Sequence, residues 1–259
     1  MGLRLRTFLT MAILTPVATV IWVQRPFAET PVTRSISGSI VRETHPSETV
    51  YQIYREERQF LTKGELVLKT RIEDLKGALQ VESETHIQDL IPVSHTERHP
   101  QSQIEESASL ENRILKLTRK TPRGEFTHIE KVAPNEVVIF GPTVEAVIRK
   151  HWKELQFRKE LPVRVASARR LDSYRFDIRF LGTTDAHSRC LFQLRGRGLL
   201  VRAFSKPVDF VFDCQAQELL TVIGPSPLFD PDDHFATFRA ITRFDQAGGR
   251  MPASPASQD

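Results

Sequence analysis

Residues 174–180, Tyr-Arg-Phe-Asp-Ile-Arg-Phe, alternate between large apolar and charged side chains without a break. In an extended chain, side chains two residues apart lie on one face. Tyr174, Phe176, Ile178 and Phe180 therefore share one face, and Arg175, Asp177 and Arg179 share the other. A strand with one dry and one wet face belongs to an antiparallel sheet, because parallel sheets are covered on both sides and read as continuous apolar runs. The same period recurs on either side of this stretch. Leu66, Leu68, Thr70 and Ile72 oppose Glu65, Lys69 and Arg71, and Leu79, Val81, Ser83, Thr85 and Ile87 oppose Gln80, Glu82, Glu84 and His86. Val208, Phe210, Phe212 and Cys214 form another such face, and Ala236, Phe238, Ala240, Thr242 and Phe244 the last. Weaker alternation marks strands near 49–56, 91–98, 102–109, 113–120, 125–132, 161–168, 189–195 and 218–223. Turn chemistry punctuates the series at Asp74-Leu75-Lys76-Gly77, at Thr121-Pro122-Arg123-Gly124 and at Leu181-Gly182-Thr183-Thr184.

One segment breaks the pattern. After Gly141-Pro142, residues 143–157 place Val144, Val147, Ile148, Trp152 and Leu155 at helical spacing, with Pro142 supplying the preset φ of a first helical turn. The expected fold is mainly β: a large curled antiparallel sheet, a half-barrel or open barrel, packed against one amphipathic helix. Open sheets of many strands curl, and curled sheets have a concave face to fill.

With 259 residues, 40% hydrophobic and 26% charged, the chain is long and apolar enough for one core, which excludes collagen-like and wholly disordered classes. Residues 1–28 carry Arg4 and Arg6 ahead of an uncharged apolar run and end in Arg-Pro-Phe-Ala, the pattern of a signal peptide or an uncleaved N-terminal anchor. Either places the remainder outside the cytoplasm, in the periplasm or cell envelope, and the anchor would tether it to a membrane. Residues 29–46 read as a linker, 47–244 as the β-rich domain and 245–259 as a disordered tail. Arg4, Arg6 and Arg25 supply three of the four net positive charges, so the rest of the chain is close to neutral and gives no electrostatic case for binding nucleic acid.

Few residues suggest chemistry. His95, Glu97 and His99 would share a strand face, but the order differs from the helical zinc-protease signature. Ile91 and Val93 occupy the same face, so the segment reads as running from core to solvent, and no metal site is expected. Asp230, Asp232 and Asp233 lack the spacing of a calcium loop, Gly196-Arg197-Gly198 lacks a dinucleotide context, and there is no G-x-S-x-G elbow. No catalytic residue and no cofactor is expected, and the chain reads as not an enzyme. Cys190 shares a face with Phe192 and Leu194, and Cys214 with Phe212 and Phe210. In an antiparallel register with Cys190 opposite Cys214, Phe192 faces Phe212 and Leu194 faces Phe210. In an oxidising compartment this pair forms a disulfide, and the alternative is two buried thiols acting as small apolar groups.

The succession of paired strands, Gly141-Pro142 opening a helix with Trp152 and Leu155, the strands at 161–168 and 174–180, and the closing Leu219-Leu220 through Ile223-Gly224-Pro225-Ser226 to the strand at 235–244 resembles a family of exported bacterial proteins of unknown function. The layout of that family resembles lipoprotein-carrier or lipocalin-like sheets curled around a helix. The resemblance implies no activity, catalytic residue or cofactor.

Three functional readings follow. The first is an exported non-enzymatic module that binds a lipid or other apolar small molecule in its concave face, against Trp152, Tyr174, Phe176, Ile178 and Phe180. The second is an envelope interaction or assembly protein without a ligand, whose partner is another envelope protein. The third is an unrecognised hydrolase. A large apolar cavity would favour the first, an exposed apolar outer patch the second, and a cleft of convergent perturbed groups the third.

Overall fold

A computed structural model describes residues 30–157, 160–184, 188–198, 205–230 and 233–245. The expected signal or anchor at 1–28 and the tail beyond residue 245 lie outside the described residues. The first eight strands are β1 (Val32–Arg42), β2 (His45–Phe60), β3 (Glu65–Asp74), β4 (Leu79–Gln88), β5 (Ile91–His99), β6 (Ile104–Glu111), β7 (Ile114–Thr121) and β8 (Gly124–Lys131). They are followed by β9 (Val137–Ile139), a helical segment, β10 (Leu161–Ser167), β11 (Asp172–Thr184), β12 (Arg189–Gly196), β13 (Val208–Asp213), β14 (Leu219–Asp230) and β15 (Asp233–Phe244). All fifteen form one sheet in the order β8-β7-β6-β5-β4-β3-β2-β1-β15-β14-β13-β12-β11-β10-β9. Every pairing is antiparallel except β9 with β10. The mainly β, unclosed, curled sheet read from the alternation is the observed fold.

The sheet is two meanders joined at β1 and β15. Residues 32–42, expected as linker, are the strand that makes this joint. β1 pairs along its length with β2 and, from Gly38 to Arg42, with Phe244 to Ala240 of β15. Its inward positions are Ile36, Gly38 and Ile40, all buried. Glycine hides the alternation, and the structure gives the reason for glycine: a Cβ at Gly38 would lie 2.1 Å from the Arg243 carbonyl oxygen.

The two ends of the sheet approach one another through side chains. Ala108, Leu115 and Leu117 of β6 and β7 pack with Val132, Val138, Phe140 and Ala166. Arg164 of β10 bridges Glu130 of β8 and Glu136, both at 3.0 Å.

The helical segment has three pieces: a 3-10 turn at Gly141–Thr143, then α1 (Val144–Lys150) and α2 (Trp152–Gln156), with the break at His151. Residues 144–148 are buried in succession, so α1 is covered on all sides up to its last turn, where Arg149 is half-buried and Lys150 is exposed. Ala146 packs with Leu68 and Ile87 of β3 and β4, while Val144, Val147 and Ile148 join the cluster formed with β10 to β13. The segment thus fills the concavity between the two meanders.

Of the register shifts in the sheet, those in β11 and β5 change what the alternation predicts. β11 runs through Leu181-Gly182, expected as a turn, with a register shift there against β12. In β5 the pairing with β4 shifts between His86 opposite Ser94 and Ile87 opposite Pro92, which leaves Val93 as a bulge. A bulged residue reverses the parity of the strand beyond it. Ile91 and Val93 are therefore exposed, at 48% and 39%, whereas His95 and His99 are buried. The expected path from an apolar core end to a wet histidine end is inverted.

Candidate functional site

The interior holds two environments, one aromatic and one charged. Trp152 of α2 lies with its ring centroid 4.8 Å from Phe192 and 5.5 Å from Phe212, and Phe192 is 5.2 Å from Phe180. Tilted and edge-on pairs at such distances are favourable beyond the area they bury. Ile178 and Trp152 are buried, while Tyr174, Phe176 and Phe180 are half-buried. Of the five residues expected to meet a ligand, Trp152 and Ile178 belong to the packed cluster, and Phe176 and Phe180 flank it. Tyr174 continues the same face of β11 toward the start of the strand.

Cys190 and Cys214 are joined in a disulfide at the edge of this cluster. The register differs from the expected one by two residues: Cys190 stands opposite Phe212, Phe192 opposite Phe210 and Leu194 opposite Val208. A shift of two preserves every face assignment, so the apolar pattern alone could not distinguish the registers. The cystine therefore spans a diagonal. Cys214 lies just beyond β13, where its amide donates to the Ser188 carbonyl at 2.9 Å.

The charged environment lines β2 and the helix. Along β2 the inward positions run Tyr51, Ile53, Arg55 and Glu57, all buried. Arg55 donates from Nη1 to Glu145 Oε2 at 2.6 Å, and its Nη2 lies 2.8 Å from Glu57. Glu145 also receives Arg149, one helical turn on, at 2.6 Å. Burial opposes ionisation of Glu145, but Arg55 and Arg149 outweigh it and hold its carboxyl below the usual range. Burial likewise works against the Arg55 charge, and Glu145 and Glu57 overcome it. The group borders a cleft that opens to solvent among Arg34, Arg149, Glu218 and Phe244.

A second polar group sits on β4 to β7. His95 accepts or donates through Nδ1 with the Thr85 hydroxyl at 2.8 Å, and its ring covers Gly141, where a Cβ would come within 2.7 Å and φ is +53°. Burial would raise the Glu97 carboxyl, yet His95 at 3.8 Å and His99 at 2.8 Å hold it at about 2. Glu106 stands directly across the ladder from Glu97, and Arg169, from the turn between β10 and β11, reaches both. Sequence reasoning found His95, Glu97 and His99 and missed Arg55, Glu145, Glu106 and Arg169. The available signal was parity, since Arg55 and Glu57 occupy inward positions of an otherwise apolar face.

No family model matches the chain, and no curated protein matches it. Among solved structures it is similar to the crystal structure of a beta-barrel-like protein of the domain of unknown function DUF1849 from Brucella abortus. The identity is 9% and the TM-score 0.41, over 83% of this chain and 96% of that one.

Proposed function

We propose that the protein is an exported, non-enzymatic module of the cell envelope that works through its outer surface as an interaction or assembly protein, with its own helical segment filling the concave face. The observation that carries this reading is the burial of residues 144–148 of α1 together with the packing of Trp152 against Phe192 and Phe212. Exposed apolar side chains supply contacts for a partner: Ile129 on β8, Ile114 on β7, and Ile91 and Val93 on β5 stand on the outer face, and Phe126 is exposed on the other face of β8. Export is supported by the basic and apolar N-terminal pattern and by the disulfide, which persists in oxidising compartments. The non-catalytic reading is supported by the pairing of the inward charges with one another, as in Arg55, Glu145 and Arg149.

A carrier reading rests on a different observation, the half-buried row Tyr174, Phe176 and Phe180, which could meet an apolar molecule at the rim of the core. One titration separates the two. With Nile red and a long-chain fatty acid, the interaction reading expects no saturable binding to the folded chain. Trp152→Ala should lower stability by about 3–5 kcal/mol, the cost of emptying a filled aromatic site. Saturable binding that Trp152→Ala alters would instead establish the carrier. Turnover of ester or phosphoester substrates above background would replace both readings with the hydrolase.

A further inference from the structure

We propose that Glu97, His99 and Glu106 form a binding site for a divalent transition-metal ion of the zinc class, for which Arg169 competes. The three residues come from two paired strands. Glu97 of β5 is directly opposite Glu106 of β6, and His99 lies two residues along the same face of β5. One ligand atom from each, including the His99 ring nitrogen, falls within 4.8 Å of the others. Bonds of about 2.0–2.2 Å to a tetrahedral ion need only small side-chain rotations from that starting point.

Three observations favour an ion over a closed set of salt bridges. First, two carboxylates face one another across the ladder, Glu106 buried and Glu97 half-buried, and like charges in that position repel. Second, the neighbouring arginines approach them loosely. Arg169 is 3.3 Å from Glu106 and 3.7 Å from Glu97, and Arg119 is 3.6 Å from Glu106, against 2.6 Å for Arg55 to Glu145. The Nε of Arg119 is buried without a hydrogen-bond partner. Third, His99 Nε2 lies 2.8 Å from Glu97 Oε1 and 3.2 Å from Arg169 Nη2. The carboxylate requires a proton on that nitrogen and the guanidinium requires a lone pair, so one atom cannot serve both. A metal takes the lone pair of His99 and the charge of both carboxylates at once.

The donor set selects the class of ion. One imidazole nitrogen with two carboxylate oxygens suits zinc and its neighbours, whereas calcium seeks six or more oxygens. Three protein ligands leave a coordination position for water. His95, anchored by Thr85 and facing the far oxygen of Glu97, positions that ligand from behind.

The test is calorimetric titration of the full chain, stripped with chelator, with zinc chloride and in parallel with calcium chloride. The expected result is one equivalent of saturable zinc and no saturable calcium. His99→Gln and Glu106→Gln should each weaken zinc by about tenfold or more. His86→Ala should leave it unchanged, since that half-buried ring pairs with Glu84 and Glu65 away from the site. Arg169→Ala, which removes the competitor and no ligand, should tighten zinc, and thermal melts check that each variant is folded. The proposal is overturned by absence of saturable zinc, by binding that survives both Gln variants, by equal loss in His86→Ala, or by weaker or unchanged binding in Arg169→Ala.

Discussion

Glu145 carries more of the molecule's integrity than any charge on its surface, because Arg55, which it binds, is as buried as it is. Exposed pairs such as Lys69 with Glu84 contribute little, since water and salt screen them. Removing one member of a buried pair is different in kind, for it leaves the other charged and unpaired. Glu145→Gln leaves Arg55 paired with Glu57 alone and takes the carboxylate from Arg149, and is expected to lower unfolding free energy by about 1–3 kcal/mol in urea titrations. The pH dependence has a definite sign. The folded carboxyl lies below its unfolded value, so its stabilisation is complete above about pH 4.3 and drains away as pH falls through the lowered folded value. The wild-type chain should therefore lose stability on acidification below about pH 4 more steeply than Glu145→Gln, and matching slopes would show that Glu145 does not titrate as described.

At the scale of the element, the joint of β1 with β15 depends on the absence of a side chain. Gly38→Val should destabilise strongly, because the intruding carbon meets the Arg243 backbone and not a movable side chain, while Ser37→Ala beside it loses one exposed hydrogen bond to Asp245. Equal midpoints in urea for the two would refute the close approach. The β12–β13 pair supplies a parallel contrast. Phe210→Asp places a charge in the core and should prevent folding, whereas Asp209→Ala forfeits one bond from Gln193 at 2.8 Å and should cost about 1 kcal/mol. Reducing Cys190–Cys214 should lower stability by about 2–4 kcal/mol, read as a shift of the denaturation midpoint with and without reductant. These elements also mark how far the sequence was legible. Uninterrupted alternation in β4, in residues 174–180 of β11 and in β13 announced strand and face together. Alternation failed where a backbone contact demanded glycine, as in β1, and where a bulge changed parity, as at Val93, because neither event alters composition. The Cys190 and Cys214 faces were readable, and their register was not, since a slip of two leaves every face unchanged. The polar cluster around Glu97 needed β6 and the turn at Arg169 beside it, contacts that no local spacing encodes.

At the scale of the whole molecule, fifteen strands wrap until their ends meet through side chains. Among the described residues β8 is left with one unpaired edge, and Phe126 and Ile129 of that strand are exposed, the arrangement by which sheets recruit further strands. Phe126→Lys with Ile129→Lys should leave the unfolding midpoint nearly unchanged while reducing self-association or partner binding in sedimentation. An unaltered association state would remove that edge from the interface. The seam between the meanders has a different consequence. Gly38 pairs with Phe244, and the Asp245 amide donates to the Ser37 carbonyl at 2.8 Å, so the first and last described strands are neighbours in the middle of the sheet. Nearly every other pairing forms between consecutive strands and can zip as the chain emerges. This one cannot begin until β15 has been made, so the native sheet is closed at its centre only when the last described strand is present. The same adjacency puts the two ends of the described chain on neighbouring strands, with Asp245 beside Ser37 and residue 31 about 20 Å further along β1. A circular permutant that joins residue 245 to residue 31 through a flexible linker of about ten residues and opens between Pro122 and Arg123 in the β7–β8 turn should fold to the same sheet. It should also fold faster, because the slowest contact of the natural order becomes a local one.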